Sequence, residues 1–463
     1  MIRLFRVSVP TSIVVLLLSE FVLLAFCFIL ATYLVLPVDP TVFLLYDGGA
    51  GRILVVVLSI LLGLHFLDLY TDIRTLSKVA LVLEICQAIG FAFIVHALLA
   101  YVAAEWRLPI WVMIWGSGFA LLSLSAWRIV YALVFLRAFG EQRVLFLGRN
   151  AVVEEIAEYL AGHPEVGYTN LGYLDDGVEP ETSFHGAKVL GGYRELRAVV
   201  EAVRPDRIVV GMTERRARMP VYDLLDLRFS GILIEEAGTV YEDTCGRLST
   251  KELRPAQLIF SGALGPTHGA VLLQSLYSPA LALLGTLLTL PVMLLAALAI
   301  KLTSRGPVLY RQTRVGLNGA PFTLYKFRSM YANAESQTGA VWASRDDPRI
   351  TPVGRWLRKL RIDELPQLWN VLRGEMAIVG PRPERPEFVK VLSEQIPYYR
   401  QRHCVKPGIT GWAQINYKYG DTLEDTIVKL EHDLYYIKHI SLALDAFIIF
   451  HTLKTILRFR GAQ

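Results

Sequence analysis

Four long apolar stretches crowd the first 140 residues, at roughly 11–36, 53–70, 80–104 and 109–136. Each reaches the ~20 residues that a helix needs to cross the hydrocarbon layer of a bilayer. Backbone polar groups in lipid must be satisfied internally, so runs of this length are expected to form helices. The expected start of the chain is therefore a membrane α-helical bundle of four spans over residues 1–140. Composition agrees, with 53% of the 463 residues hydrophobic and 19% charged and a mean hydropathy of +0.41. Such hydropathy is high for a soluble protein. Arg3 and Arg6 precede the first run, Arg74 and Lys78 lie in the second connection, and Arg137 and Arg143 follow the fourth run. The other connections carry only Arg52 and Arg107, offset by Asp39, Asp47 and Glu105. Since lysine and arginine accumulate on the cytoplasmic side, both ends of the bundle are expected to face the cytoplasm. The first run is too long for a signal core and ends without a small-residue cleavage site, so no cleavable leader is expected.

Residues 141–265 read as α/β. Arg143–Gly148 (RVLFLG) is a buried strand, "AVVEEIAEYLA" is an amphipathic helix, and "RIVVGM" and "GILIEEA" are two more strands. Their alternation implies a parallel sheet, that is, an α/β Rossmann-like domain. The first strand runs into Gly148-Arg149-Asn150-Ala151, which supplies one glycine of a dinucleotide fingerprint. Cofactor binding is thus weakly supported there, and a regulatory or scaffolding role is favoured. Cys27, Cys86, Cys245 and Cys404 share no metal-type spacing and read as reduced thiols.

A fifth apolar segment, Ser278–Leu302, poses a topology problem. If it crossed the membrane, the C-terminal part would lie on the face opposite the cytoplasmic ends of the bundle. Pro291 sits mid-segment, where it removes a helix hydrogen bond and clashes with the carbonyl four residues back. A helix broken at Pro291 can enter one leaflet and turn back, placing Lys301 and Arg305 beside the headgroups. An ordinary kinked spanning helix is the alternative that length alone suggests.

Charge concentrates next to this segment. Residues 301–361 hold 12 Lys/Arg against 3 Asp/Glu, an excess that calls for anionic partners such as phosphates and lipid headgroups. Nucleic acid is not an expected partner. "GPVLYRQTRVGLNGAPFTLYKFRSM" sets Arg311, Arg314, Lys326 and Arg328 around two turn-forming glycines. In "VGRWLRKLRIDELPQLWNVLRGEMAIVGPRPERPEF", Arg358, Arg361 and Glu364 would share one face of a continuous helix. Asp363 and Glu364 would then point about 100° apart and serve different tasks. An acid pair among arginines suits phosphoryl chemistry: one carboxylate can attack phosphorus and the other can hold Mg2+, while the cations offset phosphate charge.

The blocks "YRQTRVG", "YKFRSM", "DELPQLWNVLRGEMAIVGPRPERP", "VKPGITGWAQI" and "DLYYIKHIS" resemble the bacterial sugar transferase family, the monotopic polyprenyl-phosphate hexose-1-phosphate transferases. The resemblance covers residues 278–463 and implies a mainly α monotopic transferase domain over 270–463 with a re-entrant membrane helix at 278–302. With the preceding bundle and α/β domain, the chain resembles the long members that start exopolysaccharide or capsule assembly. That implies transfer of a sugar 1-phosphate from a nucleotide sugar, a UDP-sugar, to undecaprenyl phosphate at the cytoplasmic face of the bacterial inner membrane. It implies Asp363 as the nucleophile forming an aspartyl-phosphosugar, Glu364 as its magnesium-linked neighbour, and a homodimer. Lys326 and Arg358 match family cations. Arg314, Arg328, Arg361 and Arg382, with Lys406 and Gln414 in the "VKPGITGWAQ" loop, would border the polyanionic substrate. Many members have Ser-Pro where this chain has Leu290-Pro291; Thr289 is the substitute expected to bond to the freed carbonyl.

Two other readings account for part of the sequence. A membrane-bound nucleotide-sugar dehydratase would need an intact glycine-rich loop and a Tyr-x-x-x-Lys pair between 142 and 262, and neither is present. A membrane scaffold or sensor with an inactive transferase domain should have lost part of the dyad or its cations, yet Asp363, Glu364, Arg358 and Lys326 all remain. Trp369 and Trp412 read as packing or interfacial aromatics, and His403 and His432 as structural or surface residues. The 416–425 stretch is either a specificity loop or a plain connection. Every catalytic motif follows Ser278, so residues 1–262 are not expected to be required for chemistry.

Overall fold

The computed structural model describes residues 2–4, 7–9, 11–67, 69–70, 78–131, 142–163, 167–177, 182–184, 186–212, 219–251, 265–331, 334, 347–417 and 422–457. Arg3 is described in backbone only, and Arg6, Arg74, Arg137 and residues 418–421 of the candidate loop lie outside the described residues. The chain divides into two compact units, one essentially Ser8–Ala237 and the other Gly238–Gln463.

The first unit begins with apolar helices α1 (Thr11–Val35), α2 (Pro40–Leu45), α3 (Gly49–Phe66), α4 (Lys78–Val102) and α5 (Ile110–Val130). All but α2 are long and apolar enough to cross a membrane. The short α2 was not visible in hydropathy; Asp39 starts it by accepting from Thr41 N at 2.9 Å, with Pro40 in the first turn. Small residues let the long helices approach closely. A Cβ at Gly63 would lie 3.0 Å from Ala88 Cα, and one at Gly116 would lie 2.4 Å from the Phe28 ring. One ion pair is buried among these apolar side chains. Arg128 Nε reaches Glu20 Oε1 at 2.5 Å and its Nη1 donates to Leu69 O at 2.7 Å, while Tyr70 Oη donates to Glu20 Oε2 at 2.6 Å. Charges of opposite sign are tolerated in such surroundings only when mutually satisfied.

The same unit holds a six-stranded sheet. Its strands are β1 (Gln142–Leu147), β2 (Tyr168–Leu174), β3 (Ser183–Phe184), β4 (Ala187–Gly191), β5 (Arg207–Val210) and β6 (Leu233–Glu236). The order is β3-β4-β2-β1-β5-β6, parallel except for the β3–β4 edge pair. Helix α6 (Ala151–Gly162) follows β1, capped by Asn150, which accepts from Val153 N at 2.8 Å. Gly148 (φ +86°) and Gly211 serve packing here: a Cβ at Gly211 would lie 2.2 Å from Val153 Cγ2. Helices α7 (Leu196–Val203) and α8 (Val221–Phe229) complete the layers.

The second unit starts with α9 (Ala237–Cys245), a stretch that sequence attached to the α/β region. Apolar helix α10 (His268–Thr303) follows, then hairpin β7 (Leu309–Val315) and β8 (Pro321–Phe327). Helices α11 (Pro352–Lys359) and α12 (Gln367–Leu372) lead to β9 (Ala377–Val379). Next come α13 (Pro386–Gln395), then β10 (Gly408–Thr410) parallel to β9, and α14 (Trp412–Asn416), α15 (Leu423–His439) and α16 (Leu442–Leu457). Helical structure in α10 is continuous through Pro279 and Pro291, where sequence anticipated a break at Pro291. Thr289 Oγ1 bonds back to Gly285 O at 2.7 Å, and not to the Leu287 carbonyl that Pro291 leaves unpaired. A hydroxyl reaches the carbonyl one turn behind its own residue, which for Thr289 is Gly285.

Residues 238–251 brace α15. Tyr241 Oη donates to Glu431 Oε2 at 2.9 Å, and Thr250 N donates to Glu431 Oε1 at 2.9 Å. Gly246 O accepts from Trp412 Nε1 at 2.7 Å, and Glu242 pairs with Lys438 at 2.7 Å and His439 at 2.6 Å. Trp412 is buried and stacked on Tyr435, so it packs; Trp369 is exposed. His432 is buried against Gly246 O, and burial pushes its imidazole down to about 3.

Candidate active site

The site grows from a local interruption of helix. Thr351 caps α11 by accepting from Gly354 N at 2.9 Å, and Pro352 fits the first turn. Gly354 is required because a Cβ there would fall 1.9 Å from Ser329 O. The continuous helix expected through Glu364 does not form. It ends at Lys359, Arg361 adopts a left-handed conformation (φ 56°), and Ile362–Glu364 make a single 3-10 turn. A left-handed non-glycine residue costs roughly 1–2 kcal/mol, and such strain concentrates at functional sites. The turn carries Asp363 and Glu364 inward, leaving them 7% and 8% exposed.

Glu364 Oε1 gathers three cations. Arg382 Nη2 lies at 2.7 Å, Lys326 Nζ from β8 at 3.1 Å, and Arg361 Nη1 at 3.8 Å. Burial pushes the Glu364 carboxyl up, but the charges of Arg382, Lys326 and Arg361 prevail and hold it well below the usual carboxylate range. Asp363 is different: its Oδ1 is buried without a hydrogen-bond partner. Burial, then the neighbouring Glu364 charge, push its carboxyl up, only partly offset by Lys326, Arg358 and Arg361. One carboxylate is thus locked as an anion among cations, and the other lines the cavity with one buried oxygen that makes no hydrogen bond.

Both line a cavity of about 480 Å³. Lys326, Arg358, Arg361 and Arg382 line it, as do Arg314, Arg328 and Gln414. Some of these are occupied elsewhere. Arg328 donates to Ser304 O at 3.0 Å and Arg305 O at 2.9 Å, closing the C-terminal end of α10. Arg314 Nη1 donates to Pro383 O at 3.0 Å. Arg358 Nε donates to Ser329 Oγ at 2.9 Å. Lys406 is not brought to this cavity and lines a separate one of about 40 Å³ with Ser278 and Leu317. Sequence reasoning missed Arg402, Tyr399 and Asp433, which line the main cavity. Asp433 stands inside a recognised block, but nothing local announces that it pairs with an arginine 31 residues earlier.

Among the described residues no group of three or more His, Cys, Asp or Glu side chains is set to hold a metal. A magnesium ion needs only one or two carboxylates when substrate phosphates supply other ligands. Glu364, held anionic and lining the cavity of about 480 Å³, is a carboxylate of the type such an ion takes.

A ring of cations around a buried acid pair, in a unit that also carries a helix long and apolar enough to cross a membrane, is a site whose charge suits an anionic ligand. The family model described as bacterial sugar transferase matches residues 270–459. A UDP-glucose:undecaprenyl-phosphate glucose-1-phosphate transferase of Xanthomonas campestris pv. campestris is 34% identical over 391 residues, covering 79% of this chain and 77% of that protein. A UDP-N-acetylgalactosamine-undecaprenyl-phosphate N-acetylgalactosaminephosphotransferase of Aeromonas hydrophila is 46% identical over 224 residues, 48% of this chain. An undecaprenyl-phosphate glucose phosphotransferase of Komagataeibacter xylinus is 52% identical over 169 residues, 35% of this chain. The chain spans 52% of the Aeromonas protein and 32% of the Komagataeibacter one. The chain belongs to the bacterial sugar transferase family.

Proposed function

We propose that this protein transfers a sugar 1-phosphate from a UDP-sugar to undecaprenyl phosphate through a covalent intermediate on Asp363, the first membrane step of exopolysaccharide or capsule synthesis. The observation that carries this reading is the buried, unpartnered Asp363 Oδ1 beside a Glu364 ringed by Arg382, Lys326 and Arg361. An Asp363 carboxylate oxygen attacks the phosphorus bonded to the sugar oxygen. The bond from that phosphorus to the bridging oxygen breaks, and nucleoside monophosphate leaves with the electron pair. A lipid phosphate oxygen then attacks the same phosphorus, the acyl-phosphate bond breaks, and the carboxylate is regenerated. Two steps keep two polyanions from meeting in one low-dielectric site, where their repulsion is strong, and let the same cations serve both. Glu364 is the residue that would hold magnesium arriving with the diphosphate, whose charge would stabilise the leaving group.

The same reading makes α1, α3, α4 and α5 spans of the inner membrane with both bundle ends cytoplasmic, and joins the protein as a homodimer. It keeps residues 270–463 at the cytoplasmic face, with α10 entering and leaving one leaflet. Support for re-entry comes from the two ends of α10. Gln274 Nε2 donates to Val379 O at 3.1 Å, and Ser304 O accepts from Arg328. Both anchors belong to the second unit, so a crossing helix would place parts of that one compact unit on both faces of the bilayer.

Trapping tests the chemistry. Protein incubated with sugar-labelled UDP-glucose or UDP-N-acetylgalactosamine and no lipid, then quenched rapidly, should carry label on the peptide containing Asp363. Turnover that needs both substrates, with no labelled peptide at any time, would refute the covalent step.

A further inference from the structure

The loop Arg382–Glu384 carries the cation nearest Glu364, yet it belongs to no helix or strand. Its three successive carbonyls are each held by a donor from outside the loop. Arg382 O accepts from Arg402 Nη2 at 3.0 Å, Pro383 O from Arg314 Nη1 at 3.0 Å, and Glu384 O from Val315 N at 2.9 Å. Arg402 is itself fixed. Its Nε and Nη2 donate to Asp433 Oδ2 at 3.1 and 2.8 Å, and its Nη1 donates to Tyr399 Oη at 2.9 Å. Arg402 is 7% exposed and Asp433 2%. A guanidinium offers five donors in a rigid plane, so one side chain can face a carboxylate, a phenol and a carbonyl together. A lysine ammonium cannot reproduce that fork.

We infer that Arg402 and Arg314 are positioning residues, which act through the backbone of residues 382–384 to aim the Arg382 guanidinium at Glu364 and at the phosphates of the donor. Asp433 neutralises Arg402, so what Arg402 delivers is geometry. Arg314 likewise spends its donors on Pro383 O, on Gln312 Oε1 at 2.7 Å and on the Glu384 carboxylate at 3.4 Å. An unsupported loop would let Arg382 wander, and a misplacement of about 1 Å in such a site costs on the order of a hundredfold in rate. The inference rests on the transferase reading above for its activity readout, but its structural readout does not.

The test is a double-mutant cycle on the full-length protein in nanodiscs, with UDP-glucose or UDP-N-acetylgalactosamine and undecaprenyl phosphate, alongside hydrogen exchange. Arg402→Lys should lower kcat/KM about tenfold in the otherwise native protein and less than twofold in an Arg382→Ala background, since coupled residues are non-additive. Arg314→Gln, at a half-buried side chain, should show the same non-additivity and serves if Arg402→Lys unfolds. In exchange, either variant should raise deuterium uptake in the peptide spanning 381–388 and leave the α10 peptides unchanged. Additive losses in the cycle would overturn the inference, as would unchanged uptake at 381–388 or a rise spread over the whole unit. Wild-type protein with no turnover on either donor would refute the transferase reading, and the exchange result alone would then decide the positioning role.

Discussion

Asp363→Asn removes the proposed nucleophile, and the surroundings of that carboxyl give the substitution a second consequence. Burial raises the Asp363 carboxyl from an ordinary 3.8 to about 6. At ~1.4 kcal/mol per pH unit, that difference corresponds to about 3 kcal/mol by which the folded state disfavours the charge. The sign follows from proton binding. Below the ordinary value both folded and unfolded chains hold the proton, and nothing is lost. As pH rises through the folded value, the folded chain must release a proton that the unfolded chain has already released, and stability falls. At pH 8 the full ~3 kcal/mol is lost, and at pH 5 about half of it. Asparagine keeps the shape without the charge, so Asp363→Asn should be more stable than the native protein by up to ~3 kcal/mol at pH 8, while turnover disappears. The gain is an upper bound because an amide places its own N–H donors beside Lys326, Arg358 and Arg361. Thermal unfolding of both proteins in matched detergent at pH 5 and pH 8 measures it. A variant no more stable than native at pH 8, or a gap that does not shrink towards pH 5, would refute the picture of a charge held against its burial. For the same reason native activity should fall as pH drops through about 6, where the nucleophile becomes protonated.

Glu364→Gln should lower kcat at least tenfold, weaken the response to added magnesium, and cost roughly 1.5–3 kcal/mol of stability as charge-assisted bonds to Arg382 and Lys326 are lost; an unchanged magnesium titration would remove Glu364 from the donor role. A chain beginning at Gly238 should keep activity within threefold of the full chain, whereas one beginning at Leu272 should melt several degrees lower. The shorter chain leaves buried Glu431 without Tyr241 and Thr250, at ~1–3 kcal/mol per unsatisfied group; equal melting temperatures would make residues 238–251 dispensable. Val271→Cys and Asn318→Cys, each in a background without the native cysteines, should both resist a membrane-impermeant thiol reagent applied to intact cells, and labelling of either would rule out re-entry.

What was legible in the sequence is what local pattern encodes. Hydropathy located all four long N-terminal apolar helices and α10 because a run of side chains declares its own solvent. Strands β1, β5 and β6 showed as short apolar runs, while β2 and β4 escaped, since "YTNLGYL" and "AKVLG" carry too few branched residues to stand out. The acid pair and its cations were recognisable from residue type alone. Their arrangement was not. A helical wheel placed Arg358, Arg361 and Glu364 on one face, but the left-handed turn at Arg361 brings Glu364 instead to Lys326, 38 positions earlier, and Arg382, 18 positions later. Charge by itself did not reveal that Arg328 and Arg314, though they line the cavity, spend donors on backbone carbonyls, or that Lys406 lines a separate cavity. The Glu20–Arg128 pair joins residues 108 apart, and Tyr241–Glu431 residues 190 apart. Periodicity and composition report what each segment prefers over a turn or a strand. Which polar groups meet across such separations is decided only when the packed chain must satisfy every buried charge and carbonyl at once.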